Sequence, residues 1–391
     1  MALVNLRDML DHAYRNGYAV GAFDMISLEF LESILAAAEH CHSPVILSLA
    51  ESHFEHFDFD LIMPAVEAAA HRSPVPVAIH LDHGTSLDSA IHAINKGCNG
   101  VMIDASHGPL SENIHSTRAV VDVAHACGIP VEGELGYVPG VEGEDAMRHP
   151  GEIAYTRVED AKTYVEKTGI DFLAVSIGTV HGRMTGKPDL DYQRLQQINE
   201  SLEIPLVIHG GTGLSDDQFH QLIRNGVAKI NYYTALADAA DIQILRASKA
   251  NKVGIAELMQ DIRHAIREEV EHCMQVWGSV DRASELLACC TPWIPVEHLI
   301  VYNTKDISRH DTKIMMTEGR QILSKIPGVR EVVTGEALQK DAKYRYVWLV
   351  RFCHPMVVDS YREHPAHVAF ANTRFRPVAG QRISIDFLPT T

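Results

Sequence analysis

The amino-acid sequence predicts a (β/α)8 TIM barrel followed by a small α+β domain of the ferredoxin-like type. Eight short apolar runs alternate with segments of helical spacing. The pattern extends to about residue 285, which suits the roughly 250 residues of such a barrel. Beyond residue 296 the order of strands and helices changes. We therefore expect a barrel domain over residues 1–288 and a second domain over residues 297–391.

The predicted barrel strands are short and rich in β-branched and other apolar residues. The segments between them carry helical spacing, and in "SDDQFHQLIRNG" Ser215 is a predicted N-cap and Gly226 a stop signal. Strands that alternate with helices in this way are parallel. The eight strands are predicted to end near Phe23, Ala50, Asp82, Ser106, Gly136, Gly178, Gly211 and Tyr233.

The second domain is predicted from six segments in the order βαββαβ, which is the split arrangement of ferredoxin-like folds. The segments are strand "HLIVYNT", helix "DTKIMMTEGRQILSKI", strand "VREVVTGEAL", strand "YRYVWLVRFC", helix "VVDSYREHPAHVAFANTRF" and strand "RISIDFL".

Composition excludes several classes of protein. The formal net charge of −17 disfavours nonspecific binding to nucleic acid or to an anionic membrane. No apolar run is long enough to cross a bilayer, and the first residues lack the pattern of a signal peptide. The seven cysteines are scattered, without a CxxC pair. We therefore expect reduced thiols and a cytoplasmic location.

Metal-binding and ionisable side chains follow the predicted strands with unusual regularity. The carboxyl ends of barrel strands form one face, and that face carries the chemistry. A solvated strand end explains any one of these residues, but not their recurrence at six strands. They are Asp82 and His83, Asp104 and Ser106, Glu132 and Glu134, His181, His209, and Asn231 and Thr234.

Three histidines from separate strand ends predict a zinc site. His83, His181 and His209 would form a tetrahedral site with its fourth position open, which is the catalytic arrangement. The chain has 23 histidines, so the choice of these three depends on their positions at strand ends. His80 lies two residues before Asp82 and is interpreted as a residue that orients its neighbours.

The stretch "HGGTG" suggests a phosphate site beside one of these histidines. Backbone N–H groups of a glycine-rich turn that enters a helix bind anions, and the loops after strands seven and eight are the usual place. Gly210, Gly211 and Thr212, with Asn231 and Thr234, form this predicted cradle. By itself the motif is more often a tight turn.

Two carboxylates are candidates for proton transfer. Asp82, next to His83, is placed as a general acid or base, and Glu142 lies in the glycine-rich acidic stretch "GYVPGVEGED". Such a loop could bring a second carboxylate to the site when it closes. Zinc beside a phosphate site would polarise a ketone and stabilise an enediolate.

The barrel sequence resembles the class II, metal-dependent fructose-bisphosphate aldolases and their ketose-phosphate relatives. The matching stretches are "GYAVGAFD", "AIHLDHG", "VMIDASHGPLSENI", "VEGELGYVPGVEGED", "VSIGTVHGRMTGKPDLD", "VIHGGTGLSDDQF" and "AKINYYTAL". The resemblance implies a zinc-dependent aldolase that reversibly cleaves a ketose (bis)phosphate to dihydroxyacetone phosphate and an aldehyde, through a metal-stabilised enediolate.

The resemblance also implies roles for individual residues. Asp82 would shuttle the proton of the aldehyde oxygen, Glu142 would exchange the proton on the dihydroxyacetone phosphate carbon, and Asn231 would contact the enediolate. The implied zinc ligands are His83, His181 and His209, the phosphate contacts are Gly182, Gly210, Thr212 and Thr234, and Asp104 and Glu134 would form a second site for a monovalent or divalent cation.

Five positions depart from the pattern of that family. Asp24 replaces the usual Asn, Ala50 a usual Ser and Pro139 a usual Gly, while Tyr232 and Tyr233 are bulkier than the family norm. The metal set is intact, so the departures imply the same chemistry on a different substrate.

The C-terminal stretches "SYREHPAHVAF" and "RISIDF" resemble the stress-responsive dimeric α+β barrel domains, which pair through their sheets. This implies a homo-oligomer, a dimer or a tetramer. We interpret His364 and His367 as an ordinary surface pair.

Two other functions are compatible with a metal-binding barrel. An inactive barrel could act as a scaffold or regulator through its second domain, but Asp82, Glu142 and the three histidines are intact, which favours an active enzyme. A zinc hydrolase usually carries an HxH pair on its first strand, and this chain does not.

Overall fold

The computed structural model describes residues 2–140, 153–183, 188–250 and 254–389. The chain divides into two compact units, one of residues 1–90, 98–121 and 130–292, the other of residues 91–97, 122–129 and 293–391. None of the helices in the described ranges is long and apolar enough to span a membrane. The cysteines form no disulfide in the described chain.

The first unit contains a closed barrel of eight parallel strands, as predicted. Each strand pairs with the next along the chain, and β8 pairs with β1. The strands are β1 Val20–Asp24, β2 Val45–Ala50, β3 Val77–Gly84, β4 Gly100–Ile103, β5 Val131–Leu135, β6 Phe172–Val175, β7 Leu206–Ile208 and β8 Val227–Tyr232.

Helices follow the strands, and one helix precedes them. The predicted N-cap Ser215 is confirmed, because its backbone N–H donates to the Gln218 side chain at 3.0 Å at the start of α8. The helices are α1 Leu6–Asn16, α2 Leu28–His40, α3 Phe59–Arg72, α4 Leu87–Lys96, α5 Leu110–Ala126, α6 Val158–Thr168, α7 Tyr192–Leu202, α8 Asp216–Arg224, α9 Thr234–Ala250, α10 Ile255–Val276 and α11 Ala283–Cys289.

Helix α1 closes the N-terminal end of the barrel. Its apolar face, with Leu6, Met9 and Leu10, is fully buried in one cluster with Val20 and Phe172, which begin β1 and β6. Buried apolar area of this kind contributes about 25 cal/mol per Å² to stability. This end of the barrel is therefore dry and apolar.

The second unit contains an antiparallel sheet with the strand order β10-β11-β9-β12. The predicted βαββαβ order is confirmed, although the second predicted helix is interrupted because Pro365 starts a new helix. The elements are β9 Val296–Thr304, α12 Arg309–Leu323, β10 Val329–Glu336, β11 Tyr346–Phe352, α13 Val357–Glu363, α14 Pro365–Phe370, a π-helical turn Ala371–Phe375 and β12 Ala379–Phe387.

Candidate active site and metal centre

The three histidines predicted from strand ends meet at the C-terminal end of the barrel. The ring centre of His83 lies 4.7 Å from that of His209 and 5.0 Å from that of His181. One nitrogen from each ring lies within 4.8 Å of the other two. His181 and His209 are buried. The structure therefore brings all three predicted ligands into one cluster.

An irregularity in β3 allows Asp82 and His83 to serve the same site. Adjacent residues of a regular strand point to opposite faces. Here the register with β4 shifts between Leu81 and Gly84, and His83 has the left-handed backbone angle φ 47°. Such an irregularity redirects side chains, and strain of this kind collects at functional sites. One oxygen of Asp82 consequently lies 3.8 Å from Nε2 of His83.

Carboxylates orient two of the histidine rings. Nδ1 of His83 lies 2.9 Å from Oδ2 of Asp104, and Nε2 of His209 lies 3.0 Å from Oε1 of Glu132. Because a carboxylate can only accept, each of these ring nitrogens carries the proton and donates. The other nitrogen of each ring is directed into the cluster, as in carboxylate–histidine–metal arrangements.

The two nitrogens that remain face each other at 2.9 Å, Nε2 of His83 and Nδ1 of His209. Two lone pairs at this distance would repel, so without a metal Nε2 of His83 carries a proton and donates it to Nδ1 of His209. Burial lowers the pKa of His83, but Asp82 and Asp104 outweigh it and raise that pKa well above its ordinary value. Three imidazole nitrogens, two of them on rings held by carboxylates, are a donor set that fits zinc.

Asp82 belongs to a buried chain of hydrogen bonds that crosses the barrel. Nδ2 of Asn231 donates to Oδ1 of Asp82 at 2.8 Å, and Nζ of Lys229 donates to Oδ1 of Asn231 at 2.6 Å. The same ammonium lies 2.7 Å from Oε2 of Glu132. Asn231 was predicted as a substrate contact, and it also fixes the orientation of the Asp82 carboxylate.

Lys229 was not among the residues predicted from the sequence. The alternation of "VAKINY" puts Lys229 on the same side of β8 as Asn231, and this was the available signal, but a lysine inside a barrel contradicts the usual exposure of lysines. Its partners explain its burial, because a buried charge is tolerated when it is paired and hydrogen-bonded.

Charges around Asp82 keep it ionised. Burial alone would raise the pKa of Asp82, but His83, His209 and Lys229 hold it below its ordinary range. Burial acts on Glu132 in the same way, and Lys229 and His209 lower its pKa to about 2. Burial and the Lys229 charge lower the pKa of His80 to about 3. His80 is therefore a neutral neighbour of the site.

The predicted second cation site also converges. Single ligand atoms of His83, Asp104 and Glu134 lie within 4.8 Å of one another. Ser106 donates its hydroxyl to Oε1 of Glu134 at 3.2 Å. Burial, followed by the charge of Asp104, raises the pKa of Glu134 well above its ordinary value. A second cation there would relieve this repulsion between carboxylates.

Two of the predicted phosphate residues, Thr212 and Thr234, meet at the start of α9. Thr234 is its first residue, and Oγ1 of Thr212 accepts from the backbone N–H of Ala235 at 3.3 Å. Gly210 has φ +70°, and a Cβ there would lie 2.1 Å from the carbonyl oxygen of Val180, so only glycine fits. Gly211 follows it, and Gly182 also has a positive φ of 82°.

A cavity of about 370 Å³ opens onto the cluster. Its lining includes His83, Asp104 and His181, and residues Tyr137 and Gly140 of the loop after β5. The backbone N–H of His181 donates to the carbonyl oxygen of Pro139 at 2.8 Å, which holds the base of that loop at the cavity. Glu142, predicted from the continuation of this loop, lies outside the described residues.

Of the positions that depart from the family pattern, Tyr232 faces away from the barrel interior. The hydroxyl of Tyr232 donates to Glu269 of α10 at 2.9 Å, and its ring packs edge-on against Trp277. Its bulk therefore fills the helix layer, because even and odd residues of β8 face opposite ways. Asp24, by contrast, is the buried last residue of β1 and lies in register with Ser48.

Comparisons with protein-family models divide the chain in two. Residues 4–282 match the model described as fructose-bisphosphate aldolase class-II. Residues 296–389 match the model described as stress responsive A/B barrel domain.

Individual relatives agree with the first match. The chain is 40% identical over 288 residues to a probable fructose-bisphosphate aldolase of Bacillus subtilis (strain 168), covering 72% of this chain and 100% of that protein. A fructose-bisphosphate aldolase of Staphylococcus aureus (strain Mu50 / ATCC 700699) is 39% identical over the same shares of both chains.

Solved structures agree as well. The YdjI aldolase from Escherichia coli K12 superposes with a TM-score of 0.65 at 33% identity, over 72% of this chain and 99% of that one. A putative fructose-1,6-bisphosphate aldolase from Coccidioides immitis gives a TM-score of 0.66 at 30% identity, over 71% and 97%.

Proposed function

This chain belongs to the class-II fructose-bisphosphate aldolase family of carbon–carbon lyases and carries a C-terminal stress-responsive A/B barrel domain, and from that membership we propose a zinc-dependent reaction. The substrate is a ketose phosphate or bisphosphate, and the products are dihydroxyacetone phosphate and an aldehyde. One observation carries the proposal. Nε2 of His83 and Nδ1 of His209 face each other at 2.9 Å, with their other nitrogens bonded to carboxylates.

The proposed zinc ligands are His83, His181 and His209, and their tautomers are set in advance by Asp104 and Glu132. A zinc ion held by them would act as a Lewis acid on the ketose carbonyl and stabilise the charge that develops on its oxygen. The protein contributes a buried donor set whose orientation is determined before substrate arrives.

Asp82 is the proposed base for bond cleavage. Its carboxylate accepts the proton of the hydroxyl on the carbon that becomes the aldehyde. The adjacent carbon–carbon bond breaks, and its electron pair stays on the carbon of the dihydroxyacetone phosphate portion as an enediolate. The charges around Asp82 keep it ionised, which the acceptor of this proton must be. Asn231 and Lys229 hold its orientation.

The reaction ends when the enediolate carbon takes up a proton. We propose Glu142 as the donor, on the strength of its position two residues beyond Gly140, which lines the cavity. The phosphate is held by Gly182, Gly210, Gly211, Thr212 and Thr234, where backbone N–H groups and the start of α9 favour an anion. Asp104 and Glu134 are proposed to bind a second cation.

The test is a retro-aldol assay on a panel of ketose phosphates, measured on the zinc-loaded protein and after chelation. We expect dihydroxyacetone phosphate to form from at least one substrate, to cease with chelator and to return with added zinc. Turnover that survives complete removal of metal would contradict the zinc-dependent reaction.

We propose further that the second unit pairs two copies of the chain through the outer face of its sheet. The residues of this face alternate with those that face the helices, and all are apolar near its centre. They are Leu299, Val301, Val333, Val347, Leu349, Ile383, Ile385 and Phe387. Ile385 is 51% exposed, and a contiguous apolar patch of this kind on a protein surface marks an interface.

Ile385→Lys should lower the oligomeric order, because a charge in the centre of a two-fold interface meets its own copy. Light scattering of the full-length protein measures the particle mass. Ile314→Lys on α12 is the control, since Ile314 is also exposed but lies on a helix. An unchanged mass in Ile385→Lys would exclude this face as the interface.

A further inference from the structure

A cavity of about 370 Å³ lies in the second unit, on the helix-facing side of its sheet. We call it the C-terminal pocket and define it by His298, Tyr361, His367, Phe375 and Arg382. Its volume falls in the range of small-molecule sites. The proposed aldolase site uses none of these residues.

Aromatic and aliphatic side chains form the inner part of the C-terminal pocket. The ring of Tyr361 packs 4.9 Å from that of Phe352 and 4.4 Å from that of His367, and Ile300 and Phe375 complete the apolar lining. Side chains of this kind exclude water and accept a flat or branched apolar group.

Tyr361 is only 4% exposed and lines the C-terminal pocket, and its hydroxyl forms no hydrogen bond to another residue within the described ranges. The burial of Tyr361 raises its pKa above its ordinary value, so this group stays protonated and can donate. An occupant with an acceptor atom would satisfy it.

His367 offers a second polar atom. Its Nδ1 lies 3.1 Å from the carbonyl oxygen of Arg362, so Nδ1–H donates and Nε2 keeps its lone pair. Burial, followed by the charges of His298 and Arg376, lowers the pKa of His367 and keeps the ring neutral. His364 and His367, predicted as an ordinary surface pair, therefore have different roles. His364 caps α14 through Nδ1, and His367 lines the pocket.

Two arginines of the C-terminal pocket have no carboxylate partner in the part of the chain that the structure describes. Arg382 forms no ion pair there, and Arg376 donates only to Oδ1 of Asn372, at 2.5 Å. Arg345 and Arg351 of the same unit are paired, with Glu336 at 2.9 Å and with Glu297 at 2.7 Å. The third arginine that lines the pocket, Arg362, pairs with Asp386, which leaves Arg376 and Arg382 as the lining guanidinium groups open to an acidic ligand among the described residues.

We propose that the C-terminal pocket binds a small organic acid with an aromatic or branched apolar body, whose carboxylate is held by Arg376 and Arg382. Planar guanidinium groups match a carboxylate in geometry and charge. The apolar body lies against Phe352 and Phe375, and the Tyr361 hydroxyl and His367 Nε2 bond a polar substituent of the ligand. This binding is separate from aldol cleavage.

The test uses the full-length protein and 4-fluorophenylacetate as the probe, followed by fluorine NMR, with uncharged 4-fluorophenylacetamide as its match. Chelator-treated protein is used as well, so that binding to metal in the barrel is excluded. We expect the acid to bind saturably to both the untreated and the chelator-treated protein. The amide should bind at least about tenfold more weakly.

Variants locate the site. Arg382→Gln should weaken binding of the acid by about tenfold, and Arg376→Gln together with Arg382→Gln should abolish it. Arg374→Gln is the matched control, because Arg374 lies two residues from Arg376 but pairs with Glu318. It should bind like the native protein, and retro-aldol turnover should be the same in all of these variants.

Three results would overturn the proposal. They are equal binding of acid and amide, an absence of saturable binding, and an unchanged affinity in the double arginine variant. Because the measurement is ligand binding, a failure of the aldolase proposal would not change this result. A failure of the binding proposal would likewise leave the retro-aldol result unchanged.

Discussion

The two ends of the barrel are built on opposite principles. At the N-terminal end, Leu6, Met9 and Leu10 of α1 are buried against other apolar side chains. In the interior that leads to the C-terminal end, Asp82, Glu132 and Lys229 are buried just as completely, but they are charged. Apolar burial stabilises without conditions, whereas each buried charge depends on a partner. The N-terminal end can therefore stabilise the fold, and the C-terminal end can position charged groups for a reaction.

The difference also separates what each end can tolerate. A truncated apolar side chain leaves a cavity, and its cost is stability. A neutralised charge at the other end leaves its partner without compensation and changes the affinity for protons and metal. Substitutions at the N-terminal end should thus change the free energy of unfolding, and those at the C-terminal end should change turnover.

The largest effect on turnover is expected for Asp82→Asn. Asparagine keeps the shape and can still accept from Asn231, but it cannot accept the substrate proton, so turnover should fall about 10²- to 10⁴-fold. Bound zinc should stay unchanged, as measured by elemental analysis of the purified protein. Asp58→Asn is the control, since Asp58 caps α3 and asparagine caps equally well. Turnover of Asp82→Asn close to native would show that another group is the base.

At the other end, Leu10→Ala should cost about 2 to 5 kcal/mol in the free energy of unfolding, because a buried leucine leaves a cavity. Retro-aldol turnover of the folded protein should be unchanged. Denaturant unfolding and the assay measure the two effects on the same sample. Leu61→Ala provides the control, since Leu61 is 77% exposed and should cost little. A loss of turnover without a loss of stability would contradict the separation of the two ends.

The smallest effect is expected for Asp24→Asn at the mouth of the barrel. A carboxylate near a distal phosphate repels it by about 1 kcal/mol at 4 Å in a water-like dielectric. We compare the cleavage rate of fructose 1,6-bisphosphate with that of fructose 1-phosphate. The substitution should raise the ratio of the first rate to the second about fivefold. If the ratio does not move, Asp24 has no part in substrate choice.

The strand ends were predictable because apolar runs and helical spacing reveal each strand by itself. That information alone predicts Asp82, His83, His181 and His209 at one end of the barrel. The local geometry was not predictable. The register shift and the φ of 47° at His83 depend on pairing between β3 and β4, which are joined only in the folded barrel.

Pairing of charges across the barrel was equally beyond the sequence. Lys229 and Glu132 are 97 positions apart, and only closure of the barrel brings them to 2.7 Å. The bulk of Tyr232 is visible in the sequence, but the direction of its side chain is not. In the second domain, the same limitation hid the difference between His364, which caps a helix, and His367, which faces a cavity.

Three histidines at the charged end of the barrel are proposed to hold the zinc on which cleavage depends. The most direct measurement is zinc per chain, by elemental mass spectrometry, in the native protein, His209→Ala and the control His220→Ala, whose histidine is exposed on α8. We predict zinc and turnover in the native protein and the control, and the loss of both in His209→Ala, which leaves two ligands. Full zinc occupancy with native turnover in His209→Ala would contradict the claim.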